Sequence, residues 1–152
     1  LFIMLFESII YSIFIFIVLL LFNNKVLLFQ ISSFSDEFLI EFIFYSINAA
    51  IVEELLFRFF LFNFIYFYIY KVLKIQYFIS VIFSMVITSI IFSISHFDAF
   101  SYTIFLSSQG YNIFIGGLIL SVIYFFRGLG ISIYSHLLYN LLVLFSTTDF
   151  SI

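Results

Sequence analysis

Three short motifs carry the residues whose types and spacing could do chemistry. Glu53-Glu54-Leu55-Leu56-Phe57-Arg58 reads EExxxR, Phe92 to His96 reads FxxxH, and His136 to Asn140 reads HxxxN. All three sit in oily surroundings. A charged side chain costs about 2.5–3.5 kcal/mol at the centre of a membrane helix, so three unpaired charges in one turn and a half would oppose insertion by roughly 8–10 kcal/mol. Side chains in that position are paired, hydrated or used, and a functional site is the default reading.

On a helix, residues four apart share a face, which sets Glu54 against Arg58 as an ion pair. Glu53 lies roughly 100° further round and cannot use Arg58 equally well, so it is free to face a cavity. A carboxylate against an apolar wall suits general-base work. The bland alternative is a buried ion pair that only specifies helix packing. Phe92 and His96 share a face too, and a lone intramembrane histidine is commonly a hydrogen-bonded packing residue. His136 and Asn140 line one face of the last apolar run, where polar pairs often tie helices together without catalysis.

Taken together, these residues offer a carboxylate, two imidazoles and an amide from three helices. Two hydrolytic sites can be built from them. In one, Glu53 takes a proton from water that attacks a peptide carbonyl, while His136 and Asn140 donate to the developing oxyanion. In the other, Glu53, His96 and His136 ligate zinc, since two histidines and a glutamate form a common catalytic set. The residues alone leave both open. The zinc signature HExxH and the nucleophile elbow GxSxG are both missing, and with no cysteine there is neither a thiol nucleophile nor a disulfide.

The elements that must position these groups are set by composition. Of 152 residues, 66% are hydrophobic and 9% charged, whereas a soluble domain carries about a quarter charged residues. Continuous apolar runs near the roughly 20 residues that cross a hydrocarbon core predict an all-α, polytopic transmembrane helix bundle of about five spans. Strands are a poor alternative, because the runs do not alternate apolar and polar residues as a transmembrane barrel requires. The spans read 1–22, 38–70, 77 to at least 96, 112–126 and 131–145, with Arg127-Gly128-Leu129-Gly130 a tight connector and Ser107 to Gly110 a polar loop. The second is longer than a bilayer requires, which predicts tilt, a kink or extension beyond the membrane. The chain starts inside an apolar run, so its N-terminus reads as incomplete and its first run as a retained span.

Lys71, Lys74 and Arg127 fall in the second and fourth connections, which the positive-inside rule places in the cytoplasm. Net charge is −3 without a basic block, so nucleic acid is not an expected partner. One conflict follows from simple spans: His96 would lie near the outer end of its helix and His136 near the inner end of its own. Continuing the third span towards Leu106 would resolve it, bringing Asp98 into the membrane beside His96.

EELLFR, FSISH and HLLYN, in that order, resemble the three motifs of the CPBP intramembrane proteases, which include CAAX prenyl endopeptidases and bacteriocin-processing or immunity proteins. Phe114-Ile115-Gly116-Gly117 through Tyr124 is similar to the family's glycine-containing helix. The resemblance implies residues 1–38 as an N-terminal helix and loop and 39–148 as the protease core. It implies proteolysis of a membrane-bound peptide or protein in the lipid bilayer, most simply a cell membrane. Glu53 would be the base, Glu54 and Arg58 its partners, and His96 the holder of water or metal. His136 and Asn140 would stabilise the oxyanion, and since Asn140 makes sense as a donor and poor sense as a ligand, a site with no cofactor is slightly favoured over one with zinc. Phe59 departs from the glycine that commonly follows the first-motif arginine, and relatives often have more helices. Non-catalytic immunity by binding and a small proton-coupled transporter are the alternatives; no internal repeat supports the latter.

Overall fold

A chain with so little charge must satisfy its backbone internally, and the computed structural model, which describes residues 2–23, 36–96 and 108–145, is helical apart from short turns at 73–76 and Gly128. α1 spans Phe2–Asn23, α2 Asp36–Glu53, α3 Asn63–Phe67, α4 Tyr77–Ser95, α5 Ser108–Arg127 and α6 Leu129–Phe145. Between α2 and α3 the helix widens into a π-helical segment, Glu54–Phe62, and a second one, Tyr68–Val72, follows α3. α2 through Val72 therefore form one uninterrupted pass, and the described residues make five helical passes. Phe2–Leu21, Tyr77–Ser95 and Gln109–Arg127 are long and apolar enough to cross a membrane; Leu129–Leu144 is a shorter apolar helix.

The side-chain distribution is inverted relative to a bundle in water. The buried face of α4 consists of Ser80, Val81, Ser84, Thr88, Ser89, Phe92 and Ser93, while Phe78, Ile82 and Phe83 point outward. Ser84 and Thr88 return their hydroxyl protons to carbonyls four residues back, each at 2.7 Å, so no polar group is stranded in the packed face. Small residues let helices approach closely where lipid offers no hydrophobic drive to associate them. α4 uses this face against α5, and Ser93 Oγ donates across to the Gly110 carbonyl at 2.8 Å. α6 packs against α1, α2 and α5, and Ile15, Leu19, Leu120, Ile123 and Ile131 form the apolar core between α1, α5 and α6.

Several boundaries differ from the sequence reading. The polar stretch at 108–110 is the first turn of α5 rather than a loop, held by the Ser93 bond to Gly110. The α5–α6 connector shrinks to Gly128 alone, whose φ of +85° reverses the chain where a side chain would be strained. α4 stops at Ser95 instead of continuing, with His96 as its cap at φ −83° and ψ 0°. Residues 97–107, among them Asp98, lie outside the described residues. At the opposite end, Arg127 forms a bidentate bond to Glu7 of α1, which ties that helix beside the α5–α6 turn.

Candidate active site

The first motif straddles the junction between α2 and the first π segment. Glu53 closes the α-helix and Glu54 opens the wide turn. Such π insertions are often found at functional sites. Pairing of Glu54 with Arg58 was expected on an α-helical turn; it is made on the π turn instead, Glu54 Oε1 to Arg58 Nη1 at 3.2 Å. Both side chains are fully buried, at 0% and 1% exposure.

Glu54 does more than neutralise Arg58. Its Oε1 also accepts from His136 Nδ1 at 3.0 Å, and its Oε2 accepts from Ser132 Oγ. Two hydrogen-bond donors from α6 and the Arg58 cation from the π segment thus converge on one carboxylate. Because that carboxylate only accepts, His136 carries a proton on Nδ1 and turns Nε2 the other way. Arg58 donates from Nη2 to the Gly117 carbonyl at 3.3 Å and lies over the Phe92 ring at 4.2 Å, while its Nε and Nη1 have no hydrogen-bond partner among the described residues.

Glu53 meets the histidines. Its Oε2 lies 3.8 Å from His96 Nε2 and 3.7 Å from His136 Nε2, too far for a direct hydrogen bond and close enough for a water between them. That oxygen is buried and has no hydrogen-bond partner among the described residues. His96 Nδ1 is 2.8 Å from the Phe92 carbonyl, one of the last carbonyls of α4, so Nδ1 donates and Nε2 presents a lone pair towards Glu53. The expected conflict of depth is therefore met by the end of α4: His96 reaches Glu53 from the helix terminus, and His136 reaches it from the middle of α6.

Asn140 stands apart from this constellation. It is half-buried one turn beyond His136 and makes no side-chain hydrogen bond among the described residues. Five of the six residues singled out in the sequence are joined through Glu53, Glu54 and His136, and Asn140 is not. Three contributors were missed. Ser132 is one turn before His136 and on its face. Gly117 has no side chain to signal its carbonyl. Phe92 was noted for its face but not for its contacts, which include His96 at 4.6 Å and His136 at 6.1 Å between ring centroids. A Cβ on Gly117 would come within 3.0 Å of Phe92 Cδ1, so the glycine sets how close α5 lies to that ring.

All three motifs fall inside residues 35–142, which match the family model for the Rce1-like type II CAAX prenyl endopeptidases. The chain belongs to this family. Rce1-like membership implies an intramembrane protease acting on protein substrates, and with the long apolar helices it indicates an integral membrane protein. No curated protein and no solved structure matches the chain. Among the described residues of this Rce1-like chain, no three His, Cys, Asp or Glu side chains are grouped so as to hold a metal ion. A separate cavity of about 450 Å³ opens at the end of the first π segment, lined mostly by aromatic residues, Phe59 and Phe62 among them, and by none of the motif residues.

Proposed function

We propose that the chain is an intramembrane endopeptidase in which Glu53 activates water. The observation that carries this is the single Glu53 oxygen, buried without a hydrogen-bond partner among the described residues and set 3.7 and 3.8 Å from two imidazole nitrogens. A water in that gap donates one proton to Glu53 Oε2 and the other to the lone pair on His96 Nε2. Its own lone pair is then aimed at a substrate carbonyl. As the water attacks, Glu53 takes its proton and later delivers it to the leaving amine.

The charges also suit the reaction. His136 lies between the Glu53 and Glu54 carboxylates and serves in this scheme as an imidazolium. His136 then keeps Nδ1–H on Glu54 and offers Nε2–H to the oxyanion, with the Asn140 amide as a second donor once substrate is bound. Glu54 orients and stabilises that imidazolium, a role analogous to the carboxylate of a serine-protease triad. Glu53, Glu54, Arg58, His96, His136 and Asn140 thus form one proposed machinery, and no step needs a metal.

The substrate is a membrane-anchored peptide or protein, of which a prenylated C-terminal CAAX peptide and a leader peptide are two candidates. The setting is a cytoplasmic membrane with Lys71, Lys74 and Arg127 on its inner side. The test is cleavage of lipidated and leader peptides by purified wild type and Glu53→Gln in detergent. Wild-type cleavage that the variant lacks supports the reading. Equal cleavage by both removes Glu53 as the base, and binding without cleavage by either folded protein points to a non-catalytic immunity role.

A further inference from the structure

We infer that Ser132 is a positioning residue that locks the Glu54 carboxylate in the orientation His136 requires, extending the third motif backwards to Ser-xxx-His-xxx-Asn. Ser132 is fully buried on α6, one helical turn before His136 and on the same face. Its single hydroxyl proton has two acceptors in reach: Glu54 Oε2, the nearer and charged one, and the Leu120 carbonyl at 3.3 Å. A carboxylate is the stronger acceptor, so the proton goes to Glu54.

The need for such a lock follows from how the donors are distributed. Arg58 and His136 both address Oε1, leaving Oε2 to Ser132. Glu54 has no exposed surface, so without Ser132 that charged oxygen has neither water nor protein to satisfy it. The terminal torsion of a glutamate is soft and two-fold, and the carboxylate would rotate to share the remaining donors between its oxygens. His136 Nδ1–H then loses its fixed partner, and the direction of Nε2 towards Glu53 is no longer held. Ser132 never touches substrate in this scheme; it acts through Glu54 on His136.

Two measurements separate this role from simple packing. The chain has only two histidines, so spectra of protein labelled with ¹⁵N-imidazole resolve His136 once His96→Gln assigns its companion. In Ser132→Ala the His136 Nδ1–H signal should move from its carboxylate-bonded position towards that of a free imidazole. Ser135→Ala, which removes an equally buried hydroxyl that donates to the Ile131 carbonyl at 2.7 Å, should leave that signal in place. An unchanged His136 signal in Ser132→Ala overturns the inference.

The second measurement compares Ser132→Thr with Ser132→Val, which add the same bulk and differ only in the hydroxyl. The threonine variant should retain a kcat on the order of tenfold higher than the valine variant at equal KM. Equal impairment of the two overturns the role in turnover. This kinetic arm rests on the endopeptidase reading, whereas the imidazole signal does not. An inactive wild type with a Ser132-dependent His136 signal would therefore count against the protease and for the lock.

Discussion

Replacing the two adjacent glutamates one at a time should separate stability from turnover. Glu54 is buried against Arg58, His136 and Ser132, and among the described residues it is the one carboxylate in ion-pair contact with Arg58. After Glu54→Ala the guanidinium keeps the Gly117 carbonyl at 3.3 Å and the Phe92 ring at 4.2 Å, with no carboxylate in ion-pair contact among the described residues. Stranding a buried charge in this way costs about 3–5 kcal/mol. For a chain of this size that corresponds to a thermal midpoint lowered on the order of 10 °C, at about 2–4 °C per kcal/mol. Glu53 is 25% exposed and its Oε2 has no hydrogen bond to lose, so Glu53→Gln should stay within about 1 kcal/mol of wild type while turnover is abolished. Thermal unfolding followed by circular dichroism, in one detergent at one protein concentration, reads the first effect. Peptide cleavage by the same preparations reads the second. The double variant Glu54→Gln/Arg58→Met removes both charges and should recover most of the lost stability. A wild-type midpoint for Glu54→Ala, or an equal loss for Glu53→Gln, would refute the division of labour between the two carboxylates.

Other consequences are as direct. Asn140→Ala should lower kcat by about 10²–10³, the usual effect of losing one oxyanion donor, with no change in thermal midpoint because the side chain makes no bond to lose among the described residues. A drop in stability without a drop in kcat would assign it to packing. Gly117→Ala should destabilise by about 1–3 kcal/mol despite the better helix propensity of alanine, since its Cβ must displace a Phe92 ring already held by Phe57 and Arg58. A stabilised variant would show that the ring yields freely. Purified enzyme stripped by chelators should cleave at the wild-type rate, whereas loss of activity restored by zinc would move Glu53, His96 and His136 from base and donors to metal ligands.

Much of the architecture follows from local pattern alone. Apolar runs of spanning length, interrupted at 23–37, 71–76 and around 128, leave helices as the sole way to satisfy the backbone in lipid. The Glu54–Arg58 pair is equally legible, because partners four residues apart meet within one element whatever surrounds it. So are the identities of the histidines and of Glu53, which are too polar for their setting to be accidental. Local pattern could not reveal the π turn that begins at Glu54, because hydropathy does not register how the backbone winds. It also could not reveal the end of α4 at His96, where the imidazole itself satisfies a terminal carbonyl.

Only the packing of α2, α4, α5 and α6 decided which groups meet. Glu53 and Glu54 are neighbours in sequence, yet one faces both imidazole Nε2 atoms and the other grips His136 by Nδ1. Ser132 is one of many serines on buried helical faces, and nothing in its neighbours' spacing marks it as the one beneath a carboxylate. Gly117 contributes a carbonyl and an empty space. These relations depend on the rotation and closeness of helices from distant parts of the chain, quantities set by interlocking surfaces and not by the sequence period of any single helix.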